Sequence, residues 1–367
     1  MARDLAIEHF RFGIEHEFPV ADAAGRFCDF DNTTYEEMAR AIEPLPVFES
    51  DYAGLRVGDL GIKNKRWYIE GFERFGEMGE YLRTEPKGFE IRTPICHSLD
   101  QAVSTLADDV ARFERIATPL GFRPLRTALN PFKSAYVPNP PLNAWETAAR
   151  QSPEEISAHI HMLTHGPDLS FSHPHLAPSE TVDIARKLTY YSPCIVPFSF
   201  SSPFFAGELW GGYSRRTFYR TGARPSVLVF MGAEEDLTPS IPTLTDRARI
   251  PAEAGRIEFK AFDCPRDIEM YRAWGALLVG VALDETLSGR AHVPDAGAHQ
   301  HAAAHAFGDD AIHRAAHEVL AAAQAALPAE MRELLGPLEA MLEERRTPAH
   351  DMIEIYRETG DIMAAIA

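Results

Sequence analysis

Gly13-Ile14-Glu15-His16-Glu17-Phe18, near the start of the chain, places two carboxylates two residues apart in an otherwise apolar alternation. Working outward, Phe10, Phe12, Ile14, His16 and Phe18 share one parity; Arg11, Gly13, Glu15 and Glu17 share the other. Successive side chains of a strand point to opposite faces. Residues 10–20 therefore read as a strand with Glu15 and Glu17 together on one face and large apolar groups behind them. Two adjacent carboxylates repel, and a fold tolerates that when a cation lies between them.

The pattern recurs. In Glu85-Pro-Lys-Gly-Phe-Glu90-Ile-Arg92-Thr-Pro94, Glu90 and Arg92 share a face. Ala158-His159-Ile-His161-Met162 reads as a short strand over 157–162 with both imidazoles on one side. Arg256, Glu258 and Lys260 share a face of a strand over 256–263. Half-solvated antiparallel strands are common, so any one of these faces could simply meet water. A solvated face, however, usually mixes Lys, Thr, Ser and Gln. Glu-x-Glu, Glu-x-Arg, His-x-His and Glu-x-Lys instead supply oxygen ligands suited to Mg²⁺, imidazoles acceptable to Mn²⁺, and cations suited to phosphate. No phosphate-binding glycine loop, nucleophile elbow or zinc-protease helix motif competes with this reading.

The 367 residues are 45% hydrophobic, with 36 Lys and Arg against 54 Asp and Glu, a net charge of −18. That charge opposes nucleic-acid binding, which runs on Lys and Arg. Cys28, Cys96, Cys194 and Cys264 are widely spaced, without a Cys-x-x-Cys pair. This speaks for free thiols in a reducing compartment. The start of the chain has no apolar signal core. The longest apolar run, Trp274–Leu283, is short of the about 20 residues that span a bilayer. The expectation is a soluble cytoplasmic protein with neither nucleic-acid nor membrane partners; self-association into a homo-oligomer is left open.

Residues 66–75 and 80–93 predict a hairpin around Gly76–Gly79. Helices are expected over 100–118, over 180–192 with Ser179 as N-cap, and through most of 266–367. Segment 131–153, rich in Pro and Asn, reads as loop, and 199–225 as an ordered, site-forming loop. The fold class is α+β: a curved, mainly antiparallel sheet with flanking helices and a helical C-terminal third, in one domain over 1–367.

In order along the chain, the motifs resemble those of the glutamate–cysteine ligase family, in its bacterial carboxylate–amine ligase branch (family 2). Gly13-Ile-Glu15-His-Glu17 is similar to the family's Gly-x-Glu-x-Glu strand, and Phe89-Glu90-Ile-Arg-Thr93-Pro94 to its Val-Glu-x-x-Thr-Pro strand. Asn130-Pro131-Phe132 falls where the family has His-Pro-Phe, and Ala158-His159-Ile-His161 resembles Thr-His-Val-His. Ser201-Ser-Pro-Phe-Phe205 with Gly212-Tyr-Ser-Arg-Arg216 resembles Ser-Ser-Pro-Phe-Trp…Gly-Tyr-x-Ser-x-Arg. Ile257-Glu258-Phe-Lys260…Asp263 resembles Glu-x-Arg…Asp, with Lys260 where Arg is usual.

The resemblance implies the catalytic fold of glutamine synthetase, ATP as co-substrate, and Mg²⁺ or Mn²⁺. It also implies amide formation between a carboxylate donor, the γ-carboxylate of glutamate, and an amine acceptor. By motif position Glu15, Glu17, Glu90, His159 and Glu258 become the expected metal ligands, with Glu85 a further candidate. Arg215, Arg216 and Lys260 become catalytic candidates for the donor's carboxylate or the phosphates, with Arg92 beside them. Tyr213 and Trp210 either stack on adenine or pack their loop. The stretch Lys63–Phe72 lies outside the motifs and is expected to shape the acceptor pocket. Two other readings stay open: a guanidino-kinase-like phosphotransferase, which requires a reactive cysteine, and a non-catalytic metabolite-binding relative. The histidines in Phe171–His175 and those between His299 and His317 read as loop and interhelix residues.

Overall fold

Alternation of apolar and ionisable residues builds the centre of the molecule. The computed structural model describes residues 5–51 and 66–367. Among these, β1 (Arg11–Phe18), β2 (Trp67–Phe75), β3 (Tyr81–Arg92), β4 (Asp168–Ser172), β5 (Val227–Met231), β6 (Thr245–Arg247) and β7 (Ile257–Phe259) form a seven-stranded sheet. Its order is β6-β5-β7-β4-β1-β3-β2. Only the β5–β6 pairing is parallel. Register aligns the polar parity across five strands. Glu17 lies opposite Glu90; Glu15 lies opposite Arg92 on one side and Asp168 on the other. Ser170 lies opposite Glu258, and Tyr68 opposite Glu90.

The other parity faces a helical layer of α1 (Leu99–Ala117), α2 (Pro178–Ile195) and α3 (Met270–Leu283). Phe12, Ile14, Phe18, Phe89, Ile91, Leu169 and Phe171 join Leu106, Phe113, Leu188 and Leu277 in one buried cluster. Ser98 caps α1, its hydroxyl accepting from the Gln101 N–H at 3.1 Å. Helix α3 is apolar all round because α1, α2 and α4 (Asp310–Ala326) pack against it. His16 belongs to this face. Its Nδ1 is 2.8 Å from the Tyr271 hydroxyl, and burial pushes its pKa down to about 4, so it is a neutral core residue.

Three local expectations are corrected. Ser157–Met162 is not a strand: Ala158–His161 is a turn of helix. A six-residue polar–apolar alternation is too short to separate the two periods. The Ser152–Glu155 capping box just ahead starts a separate helical turn at Pro153–Ile156. Segment 131–153 is not all loop, because Asn143 and Glu146 form another capping box and start a helix at Ala144–Ala149. Helix α2 begins with Ala177 as N-cap and Pro178 in its first turn, two residues before Ser179 could serve. Within the β2–β3 hairpin the register shifts between Glu70 and Gly71. There the chain approaches the Glu85 carbonyl and Pro86 too closely for any Cβ. Among the described residues no helix is long and apolar enough to cross a membrane.

One buried ion pair ties the helix Ala144–Ala149 to β2. Arg74 Nε donates to Glu146 Oε1 at 2.8 Å, and the Phe75 and Asn143 N–H groups donate to the same carboxylate at 3.0 Å. Burial works to raise this carboxyl, but Arg74 and the two amides outweigh it and hold it at about 2. A depressed carboxyl contributes stability above its unfolded pKa and loses it as pH falls toward the folded value. Thermal unfolding should therefore show wild type losing more stability than Glu146→Gln between pH 5 and pH 3, from a higher start at pH 7. Parallel pH profiles for the two proteins would contradict the pairing.

Candidate active site

The aligned polar faces enclose a cavity of about 770 Å³, within the range of ligand pockets. Ten carboxylates line it against six Lys and Arg side chains, among the described residues. At this density of charge the arrangement depends on where each cation sits.

On β1, β4 and β7, Glu15, Asp168 and Glu258 bring carboxylate oxygens within 4.8 Å of one another. The Lys260 ammonium donates to both Asp168 and Glu258. Arg256 approaches Glu258 at 3.1 Å and Glu15 at 3.6 Å while its guanidinium lies over the Phe230 ring. Burial, opposed by Lys260, pushes the Asp168 carboxyl up to about 7. Burial opposes the charge on Lys260, but its acidic neighbours prevail and raise its pKa above the ordinary value.

A second group lies across β1, β2 and the helical turn at 158–161. Glu17, Glu70 and His161 bring ligand atoms within the same 4.8 Å. Lys87 is fully buried here and donates to Glu17 at 2.9 Å, to the Thr164 carbonyl at 2.8 Å and to His161 Nδ1 at 3.2 Å. With Nδ1 accepting, His161 Nε2–H donates to Glu70 at 2.8 Å. Burial and then Lys87 lower the His161 pKa, leaving a neutral ring. Burial alone would raise Glu17; Lys87 and His161 bring it down to about 2. Between the two groups Glu90 accepts from the Tyr68 hydroxyl, and Arg92 lies over the Tyr68 ring at 5.1 Å.

Of the residues singled out in the sequence, Glu15, Glu17, Glu90, Arg92, Glu258 and Lys260 line this one cavity. Glu85 is held outside it by Arg83 at 2.6 Å, Arg74 at 3.2 Å and the Tyr136 hydroxyl. His159 is exposed, its ring turned to the Ile156 carbonyl at 3.3 Å, and its place is taken by His161. Arg215 stacks over Phe205 and Phe218, and Tyr213 stacks on His350; neither lines the cavity. Arg216 lies behind it, donating to the carbonyls of Ala261 and Lys260. Of the stretch Lys63–Phe72, Tyr68 and Glu70 reach the cavity, while residues 63–65 lie outside the described residues. Asp168 and Glu70 escaped motif reading, yet Asp168-Leu-Ser-Phe-Ser172 and Tyr68-Ile-Glu70 carry the same period-2 signal.

Comparison with known proteins bears on this geometry. The model of the family described as glutamate-cysteine ligase family 2 matches residues 11–229. The chain belongs to that family. The match runs from β1 into β5 and ends before Glu258. A curated relative named "Putative glutamate--cysteine ligase 2", from Jannaschia sp. (strain CCS1), is 24% identical over 263 residues. That alignment takes in 68% of this chain and 58% of the relative, so the chain spans little more than half the relative's length.

Three solved structures share the fold at low identity. A bifunctional glutathione synthetase from Pasteurella multocida aligns with TM-score 0.60 at 13% identity over 98% of this chain and 52% of its own. The glutamate–cysteine ligase of Francisella tularensis, solved in complex with AMP, aligns at 0.57 and 11% over 100% and 89%. The ligase PafA, in complex with the prokaryotic ubiquitin-like protein Pup, aligns at 0.52 and 12% over 98% and 67%. The family fold is thus a mainly antiparallel α+β ligase sheet, and in this member the carboxylates gather on the face opposite the helices.

Lys87→Met removes the only ammonium within hydrogen-bond reach of Glu17 among the described residues. Breaking a buried pair by deleting one partner costs about 3–5 kcal/mol. Equilibrium denaturation should show a loss of that size; an unchanged midpoint would mean that the pair is not formed.

Proposed function

We propose that this chain is an ATP-dependent carboxylate–amine ligase that activates the γ-carboxylate of glutamate and joins it to an amine. The observation that carries the reading is the register-aligned wall of carboxylates and cations on a glutamate–cysteine ligase family sheet. The donor set fits a divalent cation. Glu15, Asp168 and Glu258 offer only hard oxygens, as Mg²⁺ prefers, and Glu17, Glu70 and His161 add one imidazole, acceptable to Mn²⁺. Ions held there would neutralise charge on the transferring phosphoryl group.

The chain's own part is positioning and charge. Lys260, Arg256, Arg92 and Arg224 line the same cavity and offer positive charge to phosphate oxygens. A donor carboxylate oxygen attacks the γ-phosphorus, the bond to the β–γ bridging oxygen breaks, and ADP leaves. The amine, as free base, then attacks the acyl carbon of the acyl phosphate. Inorganic phosphate departs and the nitrogen's surplus proton passes to a base.

The guanidino-kinase alternative needs a reactive thiol, and the structure argues against one. All four cysteines are buried and none lines the cavity. Burial raises every one of them, Cys194 and Cys264 to about 12.

Purified protein given Mg²⁺, ATP, glutamate and a mixture of amines should release phosphate only with donor and acceptor together. Without acceptor, hydroxylamine should trap the acyl phosphate. Absence of ADP with any carboxylate pool would refute the ligase reading. Outer-shell partners of a metal already cost about 10–100-fold when lost. Glu258→Gln should therefore cut turnover at least about 100-fold with circular dichroism unchanged, and retained turnover would remove Glu258 from the ligand set.

A further inference from the structure

Strands β1 and β4 end together at the pair Arg11 and Ser172, both of which line the rim of the cavity. Just beyond that pair three imidazoles converge: His9, from the turn Ile7–His9, and His173 and His175, from the loop that follows β4. Ring centroids are 5.9 Å apart for His9 and His173, 5.1 Å for His9 and His175, and 5.3 Å for His173 and His175. One nitrogen from each lies within 4.8 Å of the other two.

We propose that His9, His173 and His175 form a metal centre separate from the carboxylate cavity, selective for a borderline ion of the Zn²⁺ class. His173 is 4% exposed and donates its Nε2–H to the Ala6 carbonyl at 3.2 Å. That bond sets the tautomer, and the Nδ1 lone pair, which accepts from the His175 N–H at 3.3 Å, would exchange that contact for an ion. A carbonyl orienting one ring nitrogen while the other ligates is the usual support for metal-bound histidine. His9 Nδ1 is buried with no hydrogen-bond partner. Phe10 packs edge-on against His173 at 4.8 Å and walls the inner side, while His175 is exposed and leaves an outer position for water.

Three nitrogen donors with one open position match tetrahedral Zn²⁺. They suit Mg²⁺ poorly, whereas the cavity's hard oxygens suit it well. The paired histidines of the C-terminal helices differ. His301 is bonded to Asp309 at 3.0 Å and His313 to the Leu342 carbonyl at 2.9 Å, and no third ligand joins either pair among the described residues. An ion at His9, His173 and His175 would clamp the turn Ile7–His9 onto the end of β4, at the edge of the cavity.

The test uses the untagged full-length chain, stripped with chelator and titrated with Zn²⁺ alone by calorimetry. Co²⁺ serves as the visible-absorption probe of tetrahedral nitrogen ligation. One Zn²⁺ equivalent should bind and raise Tm. Its affinity should fall at least about tenfold in His9→Gln and in His175→Gln, and stay unchanged in Glu258→Gln and His301→Gln. Because His175 is exposed, its substitution leaves the core intact and keeps the test readable if His9→Gln misfolds. Wild type that binds no such equivalent would overturn the proposal. So would an equivalent that survives His175→Gln, or one that disappears with Glu258→Gln or His301→Gln.

Discussion

Mutual repulsion among carboxylates on one sheet face is the constraint to which the rest of this structure answers. At an effective dielectric of about 20, two unit charges 4 Å apart repel by about 4 kcal/mol. Glu15, Glu17, Glu70, Glu90, Asp168 and Glu258 all line the same cavity. The fold answers with cations in or directly flanking the same strands. Lys260 lies two residues after Glu258, Arg256 two before it, and Lys87 reaches Glu17 across the β1–β3 pair. Each cation sits where strand register already places a carboxylate. The opposite parity, dense in Phe, Ile and Leu, supplies the apolar burial that holds the charged face in place.

A second layer of support lies behind β7. Asp263 is fully buried and accepts from the Ser201 N–H at 2.9 Å, the Ser202 hydroxyl at 2.8 Å and the Ser214 hydroxyl at 3.1 Å, with Arg216 at 3.7 Å. Arg216 in turn holds the carbonyls of Lys260 and Ala261. The Ser-Ser-Pro and Gly-Tyr-Ser-Arg-Arg motifs are therefore a hydrogen-bonded brace for the backbone that carries Lys260. In a motif table a bracing residue and a substrate-binding residue look the same. Only distance to the cavity separates them.

Strand-borne site residues were the legible ones. Period-2 alternation over β1, β3 and β7 assigns Glu15, Glu17, Glu90, Arg92, Glu258 and Lys260 to one face without any knowledge of the sheet order. What alternation leaves undetermined is which strands become neighbours. Asp168 sits on a five-residue strand whose polar face shows two serines and one acid, too little to stand out from a solvated edge. Its importance comes from lying between β1 and β7. Glu85 is a different case: it lies an odd five residues before Glu90, a spacing that plain alternation does not align, and Arg74, Arg83 and Tyr136 hold its carboxylate outside the cavity. His161 and His159 were indistinguishable as a strand pair. On a helical turn they point apart, and only one can meet Glu70.

Lys260 lies beyond the residues that the family model matches, in a motif that resembles Glu-x-Arg. An arginine there would offer a planar fork, best matched to one carboxylate or one phosphate at a time. An ammonium is a compact charge on a flexible stem, and here it bridges Asp168 and Glu258 at once. The cavity holds more acids than cations, so a polyphosphate cannot enter on attraction alone. Either a divalent ion takes over the carboxylates or the resident cations leave them. In either case Lys260 would have to exchange Asp168 and Glu258 for the incoming anion. A stem that can swing suits such an exchange better than a rigid fork.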